Sequence, residues 1–192
     1  MHIDQFLKQT VTAHPAKGSR GKESDWLDFY QLQVKGESMW IGDANFVPHE
    51  EDGFLVAVDT GNYLVTAKAI DFGGDKRVSR LRVCLHGVEA ELGGKIGETW
   101  TDTAITGICD HETFSEAWGD DDDASDAIIR PTLDDYCDGH GVALLNDASG
   151  AVMPFVDSGF GDGTFPVFEL SRAGRRSGFE IQFIENDAPY PF

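Results

Sequence analysis

Apolar and polar residues alternate with a period of two over much of this chain. Phe29, Gln31 and Gln33 alternate with Tyr30, Leu32 and Val34, the pattern of a half-buried strand. Short runs at 38–42 and 54–58 predict further strands. Residues 62–85 predict a hairpin whose turn, Asp71-Phe72-Gly73-Gly74-Asp75, is rich in residues that accept positive φ. Two more hairpins are predicted late in the chain: 142–145 with 152–156 around 147–150, and 164–170 with 178–184 around Ala173-Gly174-Arg175-Arg176. Gly93, Gly94 and Gly97 read as a break before a strand over 99–108.

Helical periodicity is confined to short stretches. Ile3, Phe6, Leu7 and Val11 share one helical face, and 14–21 then breaks any helix and reads as a mobile connection. Asp110 is placed to cap a helix with Phe114, Ala117 and Trp118 on one face, and 131–137 predicts another starting at Pro131 or Thr132. The expected fold is therefore α+β and mostly antiparallel β: a sandwich or a curled, barrel-like sheet with a few short flanking helices. The 192 residues suit one domain, 1–192, with a helix and connection over 1–28 and a β-rich core over 29–184.

Two segments of that core echo each other. Val58-Asp59-Thr60-Gly61-Asn62-Tyr63 and Val156-Asp157-Ser158-Gly159, the latter with Phe160-Gly161-Asp162 inserted before Gly163-Thr164-Phe165, each open a hairpin. The duplicated units span 58–85 and 156–184, and Thr101-Asp102-Thr103-Ala104 is a partial third copy without the glycine. Each Asp can close a turn onto nearby amides while Gly takes a conformation that a Cβ forbids.

Composition narrows the function. Fifteen basic residues against 34 acidic ones give a formal charge of -19. Nucleic acid and anionic membrane surfaces repel such a chain, and a basic protein partner or a cation is favoured. No apolar run reaches the ~20 residues of a membrane span, and the first residues lack the pattern of a signal peptide. Cys84, Cys109 and Cys137 have no disulfide-like spacing, so the expected location is cytoplasmic.

If the corners converged, the carboxylates beside glycines, Asp43, Asp59, Asp102, Asp110, Asp157 and Asp162, would form an acidic cleft, with Asp59, Asp102, Asp157 and Asp162 as its ligand or metal candidates. Such a cleft could bind a divalent cation or tune a carboxylate for acid-base work. The run 120–126 lacks the glycine and terminal Glu of a calcium loop, and Cys109-Asp110-His111 is too tightly spaced for a zinc knuckle. No nucleophile elbow or phosphate-cradling loop is present; Gly159, Gly161 and Gly163 have the wrong spacing and no lysine, though their loop could line a neutral pocket.

The stretch Ser158-Gly159-Phe160-Gly161-Asp162-Gly163-Thr164-Phe165-Pro166-Val167 resembles the late signature of a bacterial family known as domain of unknown function 4241. Trp40-Ile41-Gly42-Asp43, Asp59-Thr60-Gly61-Asn62-Tyr63, and Thr101-Asp102-Thr103-Ala104 leading to Asp110 are similar to its pattern in the same order, so the resemblance covers residues 40–184. The chain departs from that pattern where Ala44 follows Asp43 and where Phe183-Ile184-Glu185 ends a strand. The resemblance implies no reaction and no catalytic residue. The functional expectation is thus a non-enzymatic binding or protein-interaction module with an acidic surface, and the alternative is a small metal-dependent hydrolase or cation-binding domain using the clustered aspartates.

Overall fold

The alternation expected over Phe29 to Val34 holds from Tyr30 onward in β2 (Leu27–Val34), but a register shift between Asp28 and Tyr30 buries Phe29 along with Leu27, Leu32 and Val34. The structure is a computed structural model describing residues 1–7, 15–45, 52–118, 139–146 and 149–192, with side chains omitted at 115–118. The acidic run 120–126, the helix expected over 131–137, Cys137 and Val11 lie outside these residues. The other strands are β1 (Lys22–Glu23), β3 (Ser38–Asp43), β4 (Gly53–Ala57), β5 (Gly61–Asp71), β6 (Lys76–Leu85), β7 (Glu91–Thr101), β8 (Ile105–Asp110), β9 (His140–Asn146), β10 (Ala151–Asp157), β11 (Gly163–Arg172) and β12 (Arg175–Gln182). Two short helices accompany them, α1 (Ile3–Leu7) and α2 (His111–Trp118).

These strands form two open antiparallel sheets packed as a sandwich. One runs β1-β5-β6-β12-β11-β7, with β2 also paired to β5; the other runs β4-β3-β8-β10-β9. Of the two expected architectures the sandwich is the one adopted, and neither sheet closes into a barrel.

The strand order contains a symmetry deeper than the motif repeat. In the larger sheet β2-β5-β6 meets β12-β11-β7, and in the smaller β4-β3 meets β8-β10. Exchanging β2, β3, β4, β5, β6 for β7, β8, β10, β11, β12 therefore maps each sheet onto itself in reverse. Ile41 pairs with Ile108 at the centre of one sheet and Leu81 with Ile181 at the centre of the other. The chain is a five-stranded unit used twice around a pseudo-two-fold axis, with α2, the residues after it and β9 inserted in the second copy. Side chains from the facing sheets fill the space between them. Tyr63, Val65, Leu81, Val83, Val167, Phe179 and Ile181 from the larger sheet join Met39, Ile41, Ile108 and Val156 from the smaller in one core. Each such side chain contributes about 1.5–3 kcal/mol by leaving water.

The turns follow the expected chemistry. Asp71 Oδ1 accepts the amides of Gly73 and Gly74 and closes the β5–β6 hairpin. Ala173 and Gly174 both have positive φ, 51° and 76°, as a two-residue turn matched to strand twist requires. One expectation is overturned. Gly93, Gly94 and Gly97 do not break the chain but lie inside β7, and the turn falls at 102–104, where Ala104 has φ 61°. Pairing to β11 holds β7 extended despite its glycines, with register shifts around Lys95. Gly97 is required there because a Cβ would stand 2.3 Å from the Phe54 ring. The shifts and Lys95 also make this edge a poor template for another strand.

The stretch before β2 is tied to the far end of the chain. Gly18 donates its amide to Tyr190 O, and Tyr190 donates to Ser19 O.

Candidate functional site

A two-fold duplication dictates where the repeated aspartates go. Because the two units run antiparallel across β6–β12 and β3–β8, equivalent corners lie at opposite ends of the sandwich. Asp59 precedes Gly61 at one end of β5, whereas Asp157 faces Arg77, which pairs with Ile70 near the other end. Nine residues of strand at about 3.3 Å each separate those ends by roughly 30 Å. Asp59 is therefore not part of any cleft with Asp157.

The same symmetry explains what each corner touches. Asp59 pairs with Arg175 of the other unit's hairpin at 3.2 Å, in the open. Asp157 faces Arg77 of the first unit's hairpin, the two-fold equivalent, in a half-buried setting.

The second unit's end gathers the remaining candidates. Asp157 pairs with Ile105, Gly163 pairs with Thr101, and Ser158 joins them. The Ser158 amide donates to Ala104 O, and its hydroxyl lies 2.7 Å from Thr106 Oγ1 and accepts from Thr101 Oγ1 at 3.5 Å. Asp102 and Asp162 are brought to this end but remain exposed. Among the described residues, no group of three or more His, Cys, Asp or Glu side chains is arranged to hold a metal ion.

The signature loop packs its aromatic side chain inward. Gly159 has φ 63°, and a Cβ there would meet Ile184 Cγ1 at 2.8 Å and Phe183 Cβ at 3.1 Å. Phe160 packs against Phe72, Tyr190 and Phe192, and buried Phe165 meets Phe183 edge-on at 5.1 Å. Gly161 has φ 131° with open space around it, and Gly163 begins β11. Gly159→Ala is accordingly expected to destabilise the protein by about 2–4 kcal/mol, the sum of a left-handed alanine and an overpacked contact. The urea midpoint reads this, and an unchanged midpoint would refute the steric account.

Asp157 sits in an environment that alters its chemistry. Burial raises its pKa to about 6, against the lowering influence of Arg77 and His140. Its carboxylate lies over the Gly139 backbone, where a Cβ would come within 2.0 Å of Oδ2. His140, itself buried, contacts Asp4 Oδ1 at 2.7 Å, and Asp4 reaches His2 Nδ1 at 3.0 Å, which fastens α1 to this end. His140 and His2 leave the Asp4 carboxyl below its usual range despite partial burial, which opposes them. Arg77 is held by Asp75 at 2.6 Å, and Asp75 also accepts from the Tyr190 hydroxyl at 2.7 Å.

Two of the six corner carboxylates, Asp43 and Asp110, hold the halves together instead of joining a cleft. Asp43, fully buried at the end of β3, accepts the amides of Asp102 and Thr103 at 2.7 Å, the Thr103 hydroxyl, and the Asn45 amide. Asp110, at the end of β8, accepts the amides of Lys35 and Gly36 and the Thr113 hydroxyl, the last as cap of α2. Asp43 thus clasps the β7–β8 turn, and Asp110 clasps its equivalent between β2 and β3. The sequence signal was Ile-x-Asp occurring twice, Ile41-Gly42-Asp43 and Ile108-Cys109-Asp110.

The neighbouring residues of that second signal also have structural places. Cys109 is buried and its thiol pKa is pushed up by burial. No family model, no curated protein and no solved structure matches this chain.

Proposed function

We propose that this protein is a non-enzymatic interaction module whose acidic surface engages a basic protein partner. One observation carries the reading: seven of the chain's fifteen Lys and Arg residues pair internally while its carboxylates remain in excess. Lys68, Arg77, Arg80, Arg82, Lys95, Arg175 and Arg176 each pair with a carboxylate of this same chain. With 34 acidic residues against 15 basic ones, the net charge of -19 leaves carboxylates in large excess over the cations outside those pairs. A field of that sign raises the encounter rate with a basic partner and repels acidic ones. The scattering of Asp59 away from Asp102, Asp157 and Asp162 favours this reading over a shared cation site. Membership of the domain of unknown function 4241 family is part of the same proposal, supported by the signature loop and its ordered companion stretches.

Affinity capture from the source cell at about 50 mM salt, followed by elution at about 500 mM, tests the reading, since surface charge is screened over that range. A basic protein is expected in the eluate, and it should rebind when purified. An eluate without one would overturn the reading.

A further inference from the structure

Beside α1 and β1 lies a groove of about 670 Å³ whose apolar lining comes from Met1, Phe6, Trp26 and Leu27. Trp26 is set in a way the core does not require. Its ring lies over the Arg82 guanidinium at 4.0 Å and the Lys68 ammonium at 5.4 Å. Both cations are pinned in turn, Arg82 by buried Glu180 at 2.6 Å and Lys68 by Glu23 at 2.8 Å. The indole is thus a partly exposed aromatic surface on a fixed support, the kind of rigid, low-entropy anchor that dominates interfaces. Next to it the Met1 side chain is 70% exposed, while its carbonyl accepts the Asp28 amide.

Charge decides what fits. Two cations already use the π-system of Trp26, so a third on the ring gains little, and an apolar side chain is the better occupant. The groove is lined by Asp25, Asp71 and Lys22, with the Lys76 ammonium held over the Phe6 ring at 4.9 Å, while Glu23 is engaged by Lys68 and Arg80. Cations of an incoming segment therefore belong beside the ring, on those two carboxylates.

We infer that this groove is where the basic partner docks, through a large apolar side chain seated on Trp26 and Phe6 and flanked by Lys or Arg that meet Asp25 and Asp71. The inference rests on the acidic-module reading and adds the surface and the recognised chemistry.

The test uses acetyl-Lys-Phe-Lys-amide as probe, with the Glu-Phe-Glu and Lys-Gly-Lys peptides as controls. The four tryptophans give separate indole signals in a ¹⁵N-correlation spectrum, and Trp26→Phe identifies its own. The Lys-Phe-Lys peptide should shift the Trp26 indole with a Kd of about 1 mM or tighter. Glu-Phe-Glu should bind about tenfold more weakly, and Lys-Gly-Lys should not move the indole. Asp25→Lys, an exposed change, should weaken Lys-Phe-Lys and strengthen Glu-Phe-Glu. Equal shifts from the two Phe peptides, or none from either, would overturn the groove assignment. A captured basic protein that binds wild type, Trp26→Ala and Asp25→Lys alike would also remove the groove while leaving the acidic module standing. A capture that yields no basic protein removes the module itself.

Discussion

Asp157→Asn should make this protein more stable at neutral pH and leave it unchanged near pH 4. The Asp157 carboxyl has its pKa raised from 3.8 to about 6 by burial, so the folded state binds its proton more tightly than the unfolded chain does. Stability contributed by this group is greatest below pH 4, declines as pH rises from about 4 to 6, and is level above that. A shift of two units corresponds to about 3 kcal/mol at most, because each unit is about 1.4 kcal/mol. Asparagine removes the charge that burial disfavours while keeping the shape. It should therefore raise stability at pH 7.5 by about 1–3 kcal/mol, or about 2–12 °C in Tm for a chain of this size. Melts of both proteins at pH 4 and pH 7.5 decide it; an asparagine variant equally or less stable at pH 7.5 would show that Arg77 and His140 outweigh the burial.

Asp43→Ala is expected to be the most damaging single change at a polar position. The buried carboxylate accepts from three amides and one hydroxyl, and alanine leaves those donors, in a half-exposed turn, without their acceptor. Each stranded donor costs about 1–3 kcal/mol, partly recovered as the turn at 102–104 relaxes, so a loss of about 3–5 kcal/mol follows. Asp43→Asn should recover little, because its amide group turns donors toward donors. Denaturant midpoints measure both, and a loss below about 1 kcal/mol for alanine would mean that the turn does not depend on its clasp. The ring of bonds it completes links β3 of one unit to the turn of the other. Damage should therefore extend to the amides of 102–106, readable as lost hydrogen-exchange protection.

Glycine placement shows how a local signal can mislead. Gly93, Gly94 and Gly97 carry the mark of a break, yet β7 runs through all three because β11 supplies its hydrogen bonds and the Phe54 ring needs the space above Gly97. The same residue type at 73, 74 and 174 does form the expected turns, since there the adjoining strands pair with each other.

The alternation of residues 30–34, the Asp71 to Asp75 turn and the Ala173-Gly174 turn are short-range properties, set by side-chain period and by which residues accept positive φ. They were legible along the chain, as were the antiparallel hairpins and the excess of acid. Even the duplication left a trace, in Val-Asp-hydroxyl-Gly and in Ile-x-Asp. The orientation of one copy against the other was not legible, because it depends on which strand edges and apolar faces meet across about 100 residues. That orientation is antiparallel: it carries Asp59 and Asp157 to opposite ends, leaves the first open beside Arg175, and half-buries the second behind Gly139, where burial raises its pKa. It also converts Asp43 and Asp110 from ordinary turn residues into clasps between the two units, since each accepts two backbone amides from the copy to which it does not belong.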